Sequence, residues 1–248
     1  MNELLFEEAK QKVFALEQVK KGVGTLSEKT VHAVVKNYCE PDVTKQEIKI
    51  DSMIVDIFTG TEIMEIQTRS FDKMRKKLSK LLSMYKVTIV FPVPKEKKLI
   101  WIDEETGEYS KSRKSPIKGN EYFVFPELYK IKQFLKDENL CIKVLLIDME
   151  EYRLLNGYSK DKKKGSERFD RIPQRLVEEI DITCKEDYMM FVPAELEEPF
   201  SSKEYAKAAH IKVAMARICL NILFDLGIVE RVGKSGRSYL YSCEDNRL

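Results

Sequence analysis

The chain has 248 residues, enough for one or two domains and for a full apolar core without disulfides or structural metals. Lys and Arg number 43 against 41 Asp and Glu, so the net charge of +2 excludes a uniformly basic, histone-like protein, while 43% hydrophobic residues exclude wholesale disorder. No apolar run approaches the roughly 18 residues of a membrane span, so no membrane partner is expected. The start MNELLFEEAK lacks the pattern of a secretory signal. Five scattered cysteines, no CxxC and only two histidines argue against a zinc finger and fit a cytoplasmic protein. GxSxG, GxxxxGK[ST] and GxGxxG are all missing, which removes the common serine-hydrolase and nucleotide folds.

In chain order, residues 2–21 read as a charged amphipathic helix, and a second helix runs from about Leu26 to Tyr38. Three short strands follow, at 45–50, 53–58 and 62–68. Phe71, Met74, Leu78, Leu81 and Leu82 recur at helical spacing over 70–85, opposite Lys73, Arg75, Lys76, Lys77 and Lys80, a solvated or phosphate-facing row. VTIVF (87–91) reads as a buried strand closed by Pro92. A polar hairpin (LIWIDEETGEY), a basic loop with Lys111, Arg113, Lys114 and Lys118, a helix over 126–136 and a buried strand CIKVLLID come next. The Lys- and Arg-rich tract from Tyr158 to Arg175 reads as a linker or basic loop.

The most informative stretch is KQEIKIDSMIVDIFTGTEIMEIQT, residues 45–68. A turn at Gly60-Thr61 sets Asp56 directly opposite Glu65, and a turn at Asp51-Ser52 sets Glu47 opposite Asp56 and Lys49 next to Ile54. Alternation puts Glu65 and Gln67 on one face. The expectation is a row of three carboxylates, Glu47, Asp56 and Glu65, across three strands. Like charges paired among apolar neighbours are unfavourable unless a cation or a shared proton compensates. Three oxygen ligands beside open water positions suit Mg²⁺ or Mn²⁺, which can activate water against a phosphodiester.

Helix, hairpin Asp56, Glu65-x-Gln67, helix and strand, over about residues 20–95, resemble the core of the PD-(D/E)XK nuclease superfamily. The resemblance implies a restriction-endonuclease-like α/β fold, a mixed sheet flanked by helices. It implies Asp56 and Glu65 as metal ligands, with Glu28 of the preceding helix as a further acid. Gln67 stands where the family carries Lys, so either Gln67 or Lys49 would position the attacking water. Glu28 and His32, four apart on one helical face, form a functional pair or an ordinary surface pair.

Towards the C-terminus, Ser201-x-x-Glu204 is a capping box, Ala214, Ile218, Ile222 and Leu226 share a helical face, and Gly227 is a stop. IVERV and SYLYS flank a turn placed at Gly-Lys-Ser-Gly. Helix, turn, helix and hairpin resemble a winged helix over about 195–243, which implies contact with DNA. Lys212, Arg217 and Asn221 could reach bases, and Lys234 and Arg237 could meet phosphates.

The expected organisation is a nuclease-like domain over 1–157, a basic linker over 158–190 and a winged helix over 191–248. The expected function is metal-dependent hydrolysis of DNA. The alternative is a non-catalytic DNA-binding protein whose nuclease-like fold serves as a scaffold or as a homodimer interface. A protein-interaction module without nucleic acid is a third reading.

Overall fold

In the computed structural model the described residues are 1–19, 29–155 and 166–243. The elements are α1 (Glu3–Val19), α2 (Lys29–Cys39), β1 (Gln46–Ile50), β2 (Met53–Phe58), β3 (Glu62–Ile66), α3 (Arg75–Leu81), β4 (Lys86–Ile102), β5 (Arg113–Lys114), α4 (Phe125–Lys130), β6 (Leu140–Leu154), β7 (Glu167–Ile182), β8 (Phe200–Ser201), α5 (Ser202–Ala208), α6 (Val213–Leu226), β9 (Val229–Ser235) and β10 (Ser238–Cys243). The fold is mixed α/β. A seven-stranded mixed sheet runs in the order β1-β2-β3-β4-β6-β7, with β5 paired to β4, and a second sheet runs β8-β10-β9. Among the described residues no helix is long and apolar enough to cross a membrane.

Two compact units share the chain in alternating segments. The first is Met1–Thr68, Val90–Glu121 and Val144–Ile180; the second is Arg69–Ile89, Tyr122–Lys143 and Asp181–Leu248. The first unit packs α1 and α2 on its strands. Its core gathers Phe6, Ala9 and Val13 of α1, Val31, Val34 and Val35 of α2, and Ile57, Ile66, Val90, Leu145, Ile147, Met149 and Leu176. The α1 and α2 residues recur at three- and four-residue steps, so each helix buries one stripe.

The three-stranded meander keeps the register that its turns dictate. Gln46 pairs with Ile57, Ile48 with Val55, Lys49 with Ile54 and Ile50 with Met53; Ile57 pairs with Met64 and Phe58 with Ile63. The turn at Gly60-Thr61 closes with the Thr59 N–H on the Glu62 carbonyl at 3.0 Å. Gly60 sits at φ +103, a conformation that a side chain would strain.

In the second unit the aromatic rings lock the core. Phe125 meets Phe191 edge-on at 4.8 Å, and the Tyr122 and Tyr205 hydroxyls both donate to the Phe191 carbonyl, at 3.3 and 2.6 Å. The Ser201–Glu204 capping box forms as expected, and Gly227 closes α6 at φ +71.

Several boundaries differ from the sequence reading. β4 continues through Pro92 and Pro94 for 17 residues, because proline fits extended backbone and forfeits only one donor. The helix over 70–85 is shorter, a 3₁₀ turn at Phe71–Met74 followed by α3. Much of the expected linker is strand β7. The α6 face is rotated: Ala216, Cys219, Leu220, Ile222, Leu223 and Leu226 are buried, while Ala214 is exposed and Ile218 half-buried. The hairpin turn falls on Gly236-Arg237 rather than on Gly-Lys-Ser-Gly.

Candidate functional site

The carboxylates of the meander meet a basic row on α2. His32 and Lys36 lie one helical turn apart, between the buried Val31, Val34 and Val35. His32 Nε2 is 3.2 Å from Asp56 Oδ2, and Lys36 Nζ donates to Glu47 Oε1 at 2.6 Å. Asp56 Oδ2 also accepts the Ile66 N–H at 2.7 Å, so the side chain reaches across to the backbone of β3. Glu47 adopts φ +53, a kink within β1. The Lys36 ammonium, hydrogen-bonded to Glu47, holds its carboxyl below the usual carboxylate range, while burial and the neighbouring Asp56 act the other way.

The expected residues thus divide. Asp56 and Glu47 come together under His32 and Lys36. Glu65 is buried (1% exposed), and the observed β2–β3 register, carried one step on, sets it across from Asp56. Gln67 donates its backbone N–H to the Val90 carbonyl at 2.9 Å and is half-buried; Lys49 is exposed beside the exposed Ile54. Glu28 lies outside the described residues. Among the described residues no group of three or more His, Cys, Asp or Glu side chains is placed to hold a metal ion. Lys36 neutralises Glu47, and the Asp56 carboxylate is engaged by His32 and by the Ile66 N–H.

The sequence reading missed this pairing. The signal was present: two basic residues at i and i+4 on an otherwise apolar helix face, opposite two carboxylates on adjacent strands.

The Asp56 contacts predict a structural penalty. Asp56→Ala removes the carboxylate that contacts His32 and leaves the Ile66 N–H without its acceptor, and should lower stability by about 2 kcal/mol in urea denaturation. Unchanged stability would show that neither contact matters to folding.

At the C-terminal end, Lys212, Arg217, Lys234 and Arg237 are all exposed. Asn221 instead accepts from Lys132 Nζ at 3.0 Å, and Lys132 also pairs with Asp225 at 3.2 Å. The hairpin adds a group missed in the sequence. The Arg231 guanidinium lies 4.1 Å from the Phe224 ring centre and 4.2 Å from that of Tyr239, and Lys234 Nζ is 5.0 Å from Tyr239. Arg231 pairs with Tyr241 and Lys234 with Tyr239 across the hairpin, so one face presents two cations held on aromatic rings.

Residues 29–183 match the family described as a domain of unknown function, DUF8091. The chain belongs to that family. The DUF8091 match spans α2 to the end of β7, and therefore includes the His32–Asp56 and Lys36–Glu47 pairs but not the C-terminal helices and hairpin. The protein is also similar to an uncharacterized protein of Treponema pallidum (strain Nichols), 27% identical over 236 residues, covering 91% of this chain and 90% of that one. No solved structure matches the DUF8091 chain.

Proposed function

We infer that this DUF8091 protein is a cytoplasmic DNA-binding protein, in which a restriction-endonuclease-like unit serves as a non-catalytic scaffold and a C-terminal winged helix contacts the duplex. The observation that carries this reading is the set of exposed cations on the C-terminal elements: Lys212 at the start of α6, Arg217 on it, Lys234 and Arg237 on the hairpin, and the ring-held Arg231. Cations fixed in this way are suited to phosphates. The element order β8-α5-α6-β9-β10, with β8 paired to β10, supports a winged helix. The order α2-β1-β2-β3-α3-β4 supports the likeness to the nuclease core. The engagement of Asp56 and Glu47 by His32 and Lys36 favours a scaffold over a catalyst.

The test is fluorescence anisotropy with a duplex oligonucleotide over a salt series. The wild type should bind with a log–log slope of about −0.9 per phosphate contact, and Lys234→Ala with Arg237→Ala should reduce its magnitude by roughly 1.8. Binding that is absent, or independent of salt, would favour the protein-interaction module.

The observed register supports a second reading, because it aligns Glu47, Asp56 and Glu65 across β1, β2 and β3. A Mg²⁺- or Mn²⁺-dependent nuclease would then use Asp56 and Glu65, with Glu28, for the metal, and Gln67 or Lys49 near the water. Plasmid nicking by the wild type in Mn²⁺ that is lost in Asp56→Asn would favour this reading over the scaffold.

A further inference from the structure

The sheet edge formed by β4 and β5 in the first unit carries more positive charge than its own acids balance. Residues 95–98 and 110–118 hold seven Lys and Arg against one acid, Glu96. Lys98 stands directly opposite Lys114 in the β4–β5 register, and like charges so placed are unfavourable. Glu96 is shared between two cations: Lys114 Nζ lies 2.7 Å from one of its oxygens and Lys118 Nζ 3.1 Å from the other. These two hydrogen bonds hold the Glu96 carboxyl below the ordinary carboxylate range. Lys97 is engaged by the buried Glu151 of β6 at 3.2 Å, which Arg171, Arg153 and Arg168 also approach, at 3.3, 3.4 and 3.6 Å. Lys95, Lys98, Lys111 and Arg113 make no ion pair with another described residue. The last three of these are exposed.

Part of this charge faces a cleft of about 450 Å³, lined by Lys98 of β4, Ser112 and Lys114 on the β5 side and Arg175 of β7. The acids of the cleft are already engaged, Glu96 as above and Asp148 of β6 on both oxygens. Asp148 Oδ2 pairs with Arg175 at 2.9 Å, and Oδ1 accepts the Glu96 N–H at 3.1 Å. The cleft therefore crosses β5, β4, β6 and β7, a width of roughly 14 Å at the usual strand spacing. A single phosphate would meet only one side of it. A polymer with a phosphate on every nucleotide meets both sides, and can continue along the exposed Lys111 and Arg113.

We propose that the β4–β5 edge and the cleft beside it bind the phosphate backbone of duplex DNA, with Lys98, Lys111 and Arg113 as the principal contacts. The duplex carries one negative charge for about every 1.7 Å of its axis, and unpaired cations gain most from such a partner because counterions are released. The Ser112 hydroxyl adds a hydrogen-bond donor for a phosphate oxygen. Cations on an open strand edge meet phosphates of any sequence, so this contact does not discriminate between sequences. It goes beyond the proposed function, which gives the first unit no contact with DNA, and it shares only the ligand with the winged-helix reading.

The experiment measures the fluorescence anisotropy of two labelled duplexes of unrelated sequence with the full chain over a salt series. The triple variant Lys98→Gln, Lys111→Gln, Arg113→Gln should weaken binding of both duplexes alike, by about tenfold or more at low salt. It should lower the magnitude of the log–log slope by roughly 2.7, from about 0.9 for each lost contact. The charge-keeping variant Lys98→Arg, Lys111→Arg, Arg113→Lys should bind like the wild type, and melting temperatures check that both variants fold. Lys234→Ala with Arg237→Ala is run beside them. If the triple Gln variant loses affinity and the Lys234/Arg237 variant does not, the winged-helix reading fails and the edge proposal stands. If the Lys234/Arg237 variant loses affinity and the folded triple Gln variant binds like the wild type, the edge proposal is overturned and the winged-helix reading stands. A wild type that binds neither duplex overturns both, and edge-dependent binding of polyglutamate in their place would mark a surface for acidic proteins instead.

Discussion

Glu151→Ala should destabilise the protein by about 3 kcal/mol, the lower part of the range for removing one partner of a buried ion pair. The lower part applies because water still reaches the cations and screens them. The change leaves Lys97, Arg153, Arg168 and Arg171 facing one another without the carboxylate between them. Burial by itself would raise the Glu151 pKa. The charges of Lys97, Arg171 and Arg168 outweigh burial and hold it below its ordinary value of 4.5. A carboxyl whose native pKa is depressed contributes stability that is complete above 4.5 and is lost as the pH falls through the native value. The gap between wild type and Glu151→Ala should therefore be full at neutral pH and should shrink progressively as the pH falls below 4.5 and through the lower native value. Urea denaturation of both proteins across pH measures it. A gap that stays constant into strong acid would mean that lost packing, not charge, causes the difference.

Gly119→Ala should also cost about 3 kcal/mol, at the upper end for overpacking. A Cβ at Gly119 would lie 2.1 Å from the Pro94 carbonyl oxygen and 2.9 Å from Val93 Cγ1. The near atom is backbone, held in β4, and the Gly119 N–H donates to the Lys95 carbonyl at 3.0 Å, so the loop cannot simply step away. Gly60→Ala makes the contrast. It meets nothing within 4 Å and suffers only its positive φ, so it should cost about 1 kcal/mol. Equal melting temperatures for the two variants would remove the steric argument.

The meander was legible because its determinants are local. Two tight turns and alternating apolar residues fix β1, β2 and β3 and their register within 24 residues of chain, and the structure keeps that register through Gln46–Ile57 and Phe58–Ile63. What lay outside local pattern was what each charge would meet. His32 was set against Glu28, its neighbour in sequence, whereas its partner is Asp56 on a strand. β7 looked like a linker because Arg168, Arg171 and Arg175 suggest solvent. Their partners, Glu151 and Asp148, sit on β6, and no periodicity within β7 announces them. The α6 face was mis-phased for a related reason. Cys219 and Leu220 are buried, α6 packs on a helix from another segment, α4, and a helical wheel drawn on α6 alone gave no direction for that neighbour.

The alternating segments of the two units bear on how this protein can change over generations. Each unit takes three stretches of chain, and the boundaries at Ile89/Val90 and Ile180/Asp181 fall inside strands β4 and β7. A recombination event that joins the last 58 residues to another gene would carry α5, α6 and the hairpin but leave behind α4, which packs on α6 within the same unit. The C-terminal helices and hairpin are therefore poor material for shuffling as a cassette. Substitutions in α6 should be answered by substitutions in α4, some 90 residues upstream, and the lineage should inherit the two stretches as a linked set.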